Sequence, residues 1–186
     1  LFPYTTLFRS LKTQLSKRIS MNQVRQLLLH IGGDEKSIKE LYDLIFEEDV
    51  TTSFQALWVC THLNEEDNRL LFDKQNQLID LVMNSTHTGK RRILLNVLCR
   101  QPVPEEFRTD FLDFCLERMM SKQELPATQM LCMKLAYEMC RHIPELLQEY
   151  RNLIEIMEPD LLSPAVRAVR RNIYKAITKK RGILKQ

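Results

Sequence analysis

Helix openings recur along the chain at a nearly constant interval, at Ser53, Gly89, Pro126 and Pro164, each roughly 36–38 residues after the last. Pro104-Glu105-Glu106-Phe107 is echoed by Pro144-Glu145-Leu146-Leu147, and Pro126-Ala127 by Pro164-Ala165. A single helix pair has an apolar face and nothing to bury it against; stacked pairs share one continuous core. An interval of this length, repeated with the same openings and breaks, predicts a stack of antiparallel helix pairs.

Apolar spacing is helical nearly throughout. Val24, Leu27, Leu28 and Ile31 fall at i, i+3, i+4 and i+7, and Gly32-Gly33 supply a stop. Asp34 caps a second helix on Ile38, Leu41, Tyr42 and Ile45. Thr51, Thr52 or Ser53 caps a third, with Phe54, Leu57, Trp58 and Leu63 inward, and after a polar turn at Asn64–Asn68 a fourth runs to about Met83. Gly89 opens a helix on Ile93, Leu94, Val97 and Leu98 that Gln101-Pro102 ends. Pro104 sits in the first turn of the next, with Phe107, Phe111, Phe114 and Leu116 as core candidates. Pro126, Pro144 and Pro164 open the remaining three.

Only four glycines occur in 186 residues, which argues against hairpin-rich β architecture and against a phosphate-cradling loop. No apolar run approaches the roughly 20 residues of a membrane span. Five cysteines without paired spacing read as reduced thiols, and a cytoplasmic location is the expectation. Leu1–Ser10, LFPYTTLFRS, reads as a translated sequencing adapter, so residues 1–20 are expected to be artefact or disordered. A single repeat domain would then cover 21–181, with 182–186 as a tail.

Three short stretches carry a family resemblance: Ala56-Leu57-Trp58, Lys90-Arg91-Arg92-Ile93-Leu94 and Pro164-Ala165-Val166-Arg167. With the repeat, they make residues 22–181 resemble the HEAT/armadillo class, most of all small bacterial HEAT-like proteins. The resemblance implies an all-α, right-handed α-solenoid of about four stacked antiparallel helix pairs, acting as a binding scaffold. Some members of the class, the alkylpurine DNA glycosylases, grip damaged duplex DNA instead. No position here matches a catalytic motif of theirs, and the resembling stretches specify packing rather than chemistry.

Candidate chemistry is sparse. The histidines His30, His62, His87 and His142 form no helical ligand pair. Cys60 and His62, like Cys140 and His142, are two residues apart and point about 200° from each other on a helix. Glu65-Glu66 and Glu105-Glu106 fall at helix starts, where they offset the dipole. No catalytic, cofactor-binding or metal-binding residue is therefore assigned, and neither a small-molecule substrate nor a membrane is expected as partner.

Charge distribution is the sharpest functional signal. Residues 21–160 hold 15 basic against 24 acidic groups, a net −9, whereas 161–186 hold eight basic groups and no acid. On the last helix Arg167, Arg171, Lys175 and Lys179 recur every four residues, flanked by Arg170 and Lys180. Lys90, Arg91 and Arg92 open the equivalent helix two repeats earlier. These residues are candidate contacts for an anionic partner, or the solvated polar face of a capping helix. The reading is a non-catalytic scaffold for a protein or peptide partner, with nucleic-acid binding through a basic surface as the alternative.

Overall fold

The computed structural model describes residues 10–184, and every regular element among them is helical. They group into two compact units divided between Asp73 and Lys74, where the sequence suggested one domain.

In the first unit, helices α1 (Leu11–Leu15), α2 (Met21–Ile31), α3 (Glu35–Asp43) and α5 (Glu65–Arg69) accompany a central helix, α4 (Val50–Cys60). The expectation that residues 1–20 lie outside the fold is corrected from residue 10 onward. Leu11, Leu15 and Ile19 repeat every four residues and are all buried, and the Ile19 N–H donates to Gln55 Oε1 on α4 at 3.3 Å. Of the adapter-like stretch, residues 1–9 lie outside the described residues; Ser10 caps α1, its hydroxyl accepting the Thr13 N–H.

Helix α4 starts three residues before Ser53, the last of the expected caps, because Asp49 outcompetes it. The Asp49 carboxylate accepts the Thr52 N–H at 2.7 Å and the Thr52 hydroxyl at 2.6 Å, and these bonds hold its carboxyl below the usual carboxylate range. Within α4, Ala56, Leu57, Val59 and Cys60 are fully buried. Trp58, expected in the core, is only half-buried and meets the His62 ring edge-on. Gly33 has φ 77°, a left-handed turn that ends α2 and presents its N–H to Asp67 Oδ1 at 3.0 Å.

The second unit runs through α6 (Gln75–Asn84), α7 (Thr88–Leu98), α8 (Thr109–Met120), α9 (Pro126–Cys140), α10 (Pro144–Glu155) and α11 (Pro164–Thr178). Its hub is α9, which touches α7, α8, α10 and α11 and therefore buries side chains all round, from Thr128 through Met133 and Tyr137 to Cys140. The buried Tyr150 hydroxyl of α10 donates to the Met133 carbonyl at 2.8 Å, pinning α10 to the hub.

Pro104 does not open a helix. Residues 99–108 form an irregular connection, because Pro102 and Pro104 each push the preceding residue away from helical geometry. Gln75 Nε2 donates to the Pro102 carbonyl at 2.7 Å, and the Arg108 guanidinium bridges Asp80 and Asp110 at 2.7 Å each. Phe107, a core candidate, is consequently exposed, while Phe111 and Leu112 are buried.

The repeat is more regular than the sequence suggested. Helices α4, α7, α9 and α11 begin at Val50, Thr88, Pro126 and Pro164, each 38 residues after the last.

A candidate docking face on the last helix

Numbering each of these four helices from its first residue exposes two recurring positions. The fourth residue is always a hydrogen-bond donor aimed back at a carbonyl just upstream of its own helix. Ser53 Oγ donates to Ile45, Arg91 Nη2 to Ser85 at 2.8 Å, Gln129 Nε2 to Ser121 at 2.8 Å, and Arg167 Nη2 to Leu162 at 3.3 Å. Carbonyls at the end of a helix or helical turn lack an internal partner. The fourth-position side chain supplies one and fixes how the next helix enters.

The eighth residue is Leu57, Leu95 and Met133 in the first three helices, each 0% exposed, but Arg171 in α11, which is exposed. The seventh and eleventh positions tell the same story. Leu94 and Leu98 of α7, and Cys132 and Ala136 of α9, are buried, whereas α11 carries half-buried Arg170 and Tyr174. Helix α11 buries Val166, Val169, Ile173 and Ala176, and its seventh, eighth and eleventh positions carry Arg170, Arg171 and Tyr174 where α7 and α9 are apolar and covered.

Arg171 belongs to a cationic row that runs along the edge of these positions. Arg167, Arg171, Lys175 and Lys179 are all exposed. Among the described residues Arg171, Lys175 and Lys179 have no side-chain partner, and Arg167 uses one nitrogen for the Leu162 carbonyl. Arg170 is committed internally. Its Nε donates to the Ile154 carbonyl at 2.8 Å, and its guanidinium lies 4.9 Å from the Tyr174 ring centre. Ile156 and Leu161, in the connection leading to α11, are 68% and 73% exposed, so apolar surface adjoins the cations in sequence.

The other basic cluster disperses. Consecutive helical residues point about 100° apart, and Lys90, Arg91 and Arg92 go three ways. Arg92 is exposed; Lys90 is half-buried, and burial lowers its pKa. Arg91 is withdrawn from the surface altogether. Its side chain is 10% exposed and pairs with Glu124, which is 3% exposed and also accepts Arg118 Nη1 at 3.3 Å. Arg91 and Arg170 are thus placed in packing, and the candidate surface contracts to Arg167, Arg171, Lys175 and Lys179.

Sequence reasoning did not find Glu124 or Glu138, each buried within a helical array. A carboxylate between helices resembles any surface acid until the arginine that neutralises it is seen beside it. Cysteine chemistry is suppressed: burial pushes the Cys99 and Cys140 thiols up to about 12, and Cys115 well above its ordinary value. Among the described residues no group of three or more His, Cys, Asp or Glu could hold a metal ion, and no helix is long and apolar enough to cross a membrane.

A family model described as a HEAT repeat domain matches residues 11–177. No curated protein and no solved structure matches the chain.

Proposed function

Because the chain belongs to the HEAT repeat family, we propose that it is a non-catalytic scaffold that binds an acidic segment of a partner protein across the outer face of α11. The observation that carries this reading is the exposed row Arg167, Arg171, Lys175 and Lys179, whose Arg171 stands at the position that Leu57, Leu95 and Met133 bury in the preceding repeats. A further apolar helix could not cover that face without stripping water from unpaired cations, which is costly. An anionic surface could. The partner must also bring apolar side chains. Four exposed ion pairs contribute on the order of 1–4 kcal/mol together, which reaches only about millimolar affinity. Tyr174, Ile156 and Leu161 offer apolar surface for the remainder.

A labelled amphipathic peptide rich in Glu and Leu tests the reading by fluorescence anisotropy, at low and near-physiological salt, beside a labelled DNA duplex. Peptide binding that weakens with salt, and is lost in an Arg171→Glu/Lys175→Glu/Lys179→Glu variant with an unchanged helical CD spectrum, supports it. Duplex binding that exceeds peptide binding and is lost in the same variant transfers the face to nucleic acid. Binding of neither leaves α11 a solvated cap.

A further inference from the structure

Helix α11 ends in an arrangement that sends the chain back across its neighbour. Lys180 adopts φ 49°, a left-handed conformation rare for a side chain of its size. The Arg181 N–H returns to the Ala176 carbonyl at 3.1 Å and the Lys180 N–H to Ile177 at 3.1 Å, the paired bonds of a Schellman stop. Residues 182–184, the described part of the expected 182–186 tail, are held down on α9. Glu138, a carboxylate only 2% exposed, accepts the Ile183 N–H and the Leu184 N–H (3.0 Å) on the same oxygen. Its other oxygen lies 2.7 Å from Arg141 Nε, and the neighbouring Tyr137 hydroxyl donates to the Arg181 carbonyl at 2.6 Å. At Gly182 an added Cβ would lie 3.1 and 3.2 Å from the Glu138 carboxylate oxygens, so any side chain there would push the carboxylate back by a few tenths of an ångström.

Beside this contact is a cleft lined by Ile79, Leu98, Phe111, Leu135 and Leu184, with Gln101 in its wall. With Leu184 in place the remaining cavity is about 10 Å³, room for one water at most. Gln101 is 3% exposed, and among the described residues neither its amide nitrogen nor its amide oxygen has a partner. A primary amide with a free donor and a free acceptor is the complement of one peptide unit.

We propose that this cleft binds an extended peptide segment of a partner protein, and that residues 182–184 are its resident intramolecular competitor. Glu138 reads two successive main-chain N–H groups, the apolar walls take one large aliphatic side chain, and Gln101 pairs with the peptide unit beyond. Recognition is of backbone plus one aliphatic anchor, so it tolerates varied sequence and requires an extended chain. The site is distinct from the cationic row of α11 and stands without it.

The probe is a fluorescent peptide of this chain's own residues 180–186, measured against the full-length protein. Leu184→Asp removes the aliphatic anchor and sets a negative charge near Glu138, which releases the segment. That variant should bind the probe at least tenfold more tightly than the parent does. A probe N-methylated at the nitrogens of Ile183 and Leu184 should not bind it. Should Leu184→Asp fail to fold, hydrogen exchange on the unaltered protein decides: excess probe should accelerate exchange of the Ile183 and Leu184 amides in the chain. No gain in affinity with an unchanged CD spectrum overturns the proposal, as do equal binding of the N-methylated probe and exchange indifferent to added probe.

Discussion

Glu124, in the connection between α8 and α9, neutralises arginines from two helices, and its removal has a calculable cost. It accepts Arg91 from α7 and Arg118 from α8, and its side chain is 3% exposed against 10% and 32% for the two arginines. Replacing Glu124 with Leu leaves the Arg91 guanidinium buried with only the Ser85 carbonyl for company. Breaking a buried pair by deleting one partner costs about 3–5 kcal/mol. Arg118 is a third exposed and turns to water, so it adds little. With an m-value of about 2 kcal/mol/M in urea, the far-UV CD midpoint should fall by roughly 1.5–2.5 M. Arg91→Leu should cost less, about 1–3 kcal/mol, because Glu124 keeps Arg118. The double variant Arg91→Leu/Glu124→Leu should recover to within about 1 kcal/mol of the parent, since burying two apolar side chains avoids the desolvation altogether. A Glu124→Leu cost under about 1 kcal/mol, or a double variant whose loss equals the sum of the singles, would refute the reasoning.

Three further outcomes are expected. Thiol titration at pH 8 should find Cys99, Cys115 and Cys140 unreactive in the folded protein and reactive in guanidinium, because burial raises all three thiols; fast native labelling of Cys115 would contradict that packing. Ser163→Ala removes the hydroxyl that accepts the Val166 N–H at the start of α11 and should cost about 1 kcal/mol, read as a lower melting temperature. Asp34 and Asp49 are both held below the ordinary carboxylate value by the Ser37 and Thr52 bonds they accept. Their contribution to stability is therefore complete above the ordinary value of 3.8 and is lost as pH falls through the lowered ones, so melting temperatures should drop below about pH 4 and NMR titration should place both midpoints under 3.8.

The helix class and the repeat were legible because both depend on local spacing: the openings at Pro126 and Pro164 stand where the sequence puts them. Those at Ser53 and Gly89 were displaced by capping. Asp49 and His87 accept N–H groups at the true starts, and a histidine Nδ1 accepting the Lys90 N–H at 3.1 Å is not a cap that composition suggests. The basic row on α11 was legible as a period of four; that its Arg171 replaces a leucine or methionine buried in earlier repeats required knowing which positions those repeats cover. Lys90-Arg91-Arg92 misled because adjacency in sequence is dispersal on a helix. The segment over Glu138 was invisible, since nothing in Gly182-Ile183-Leu184 names the carboxylate 44 or more residues upstream that receives it.

The fourth-position donors reach back by unequal distances, eight residues for Ser53 and Gln129, six for Arg91 and five for Arg167, while the helix starts stay 38 apart. The tie back to the preceding connection is therefore kept by one position rather than by one residue type: a serine, a glutamine or an arginine each finds a carbonyl there. Loops grafted into these connections should therefore leave that donor and its carbonyl in place, since the tie rather than the length of the connection is what recurs.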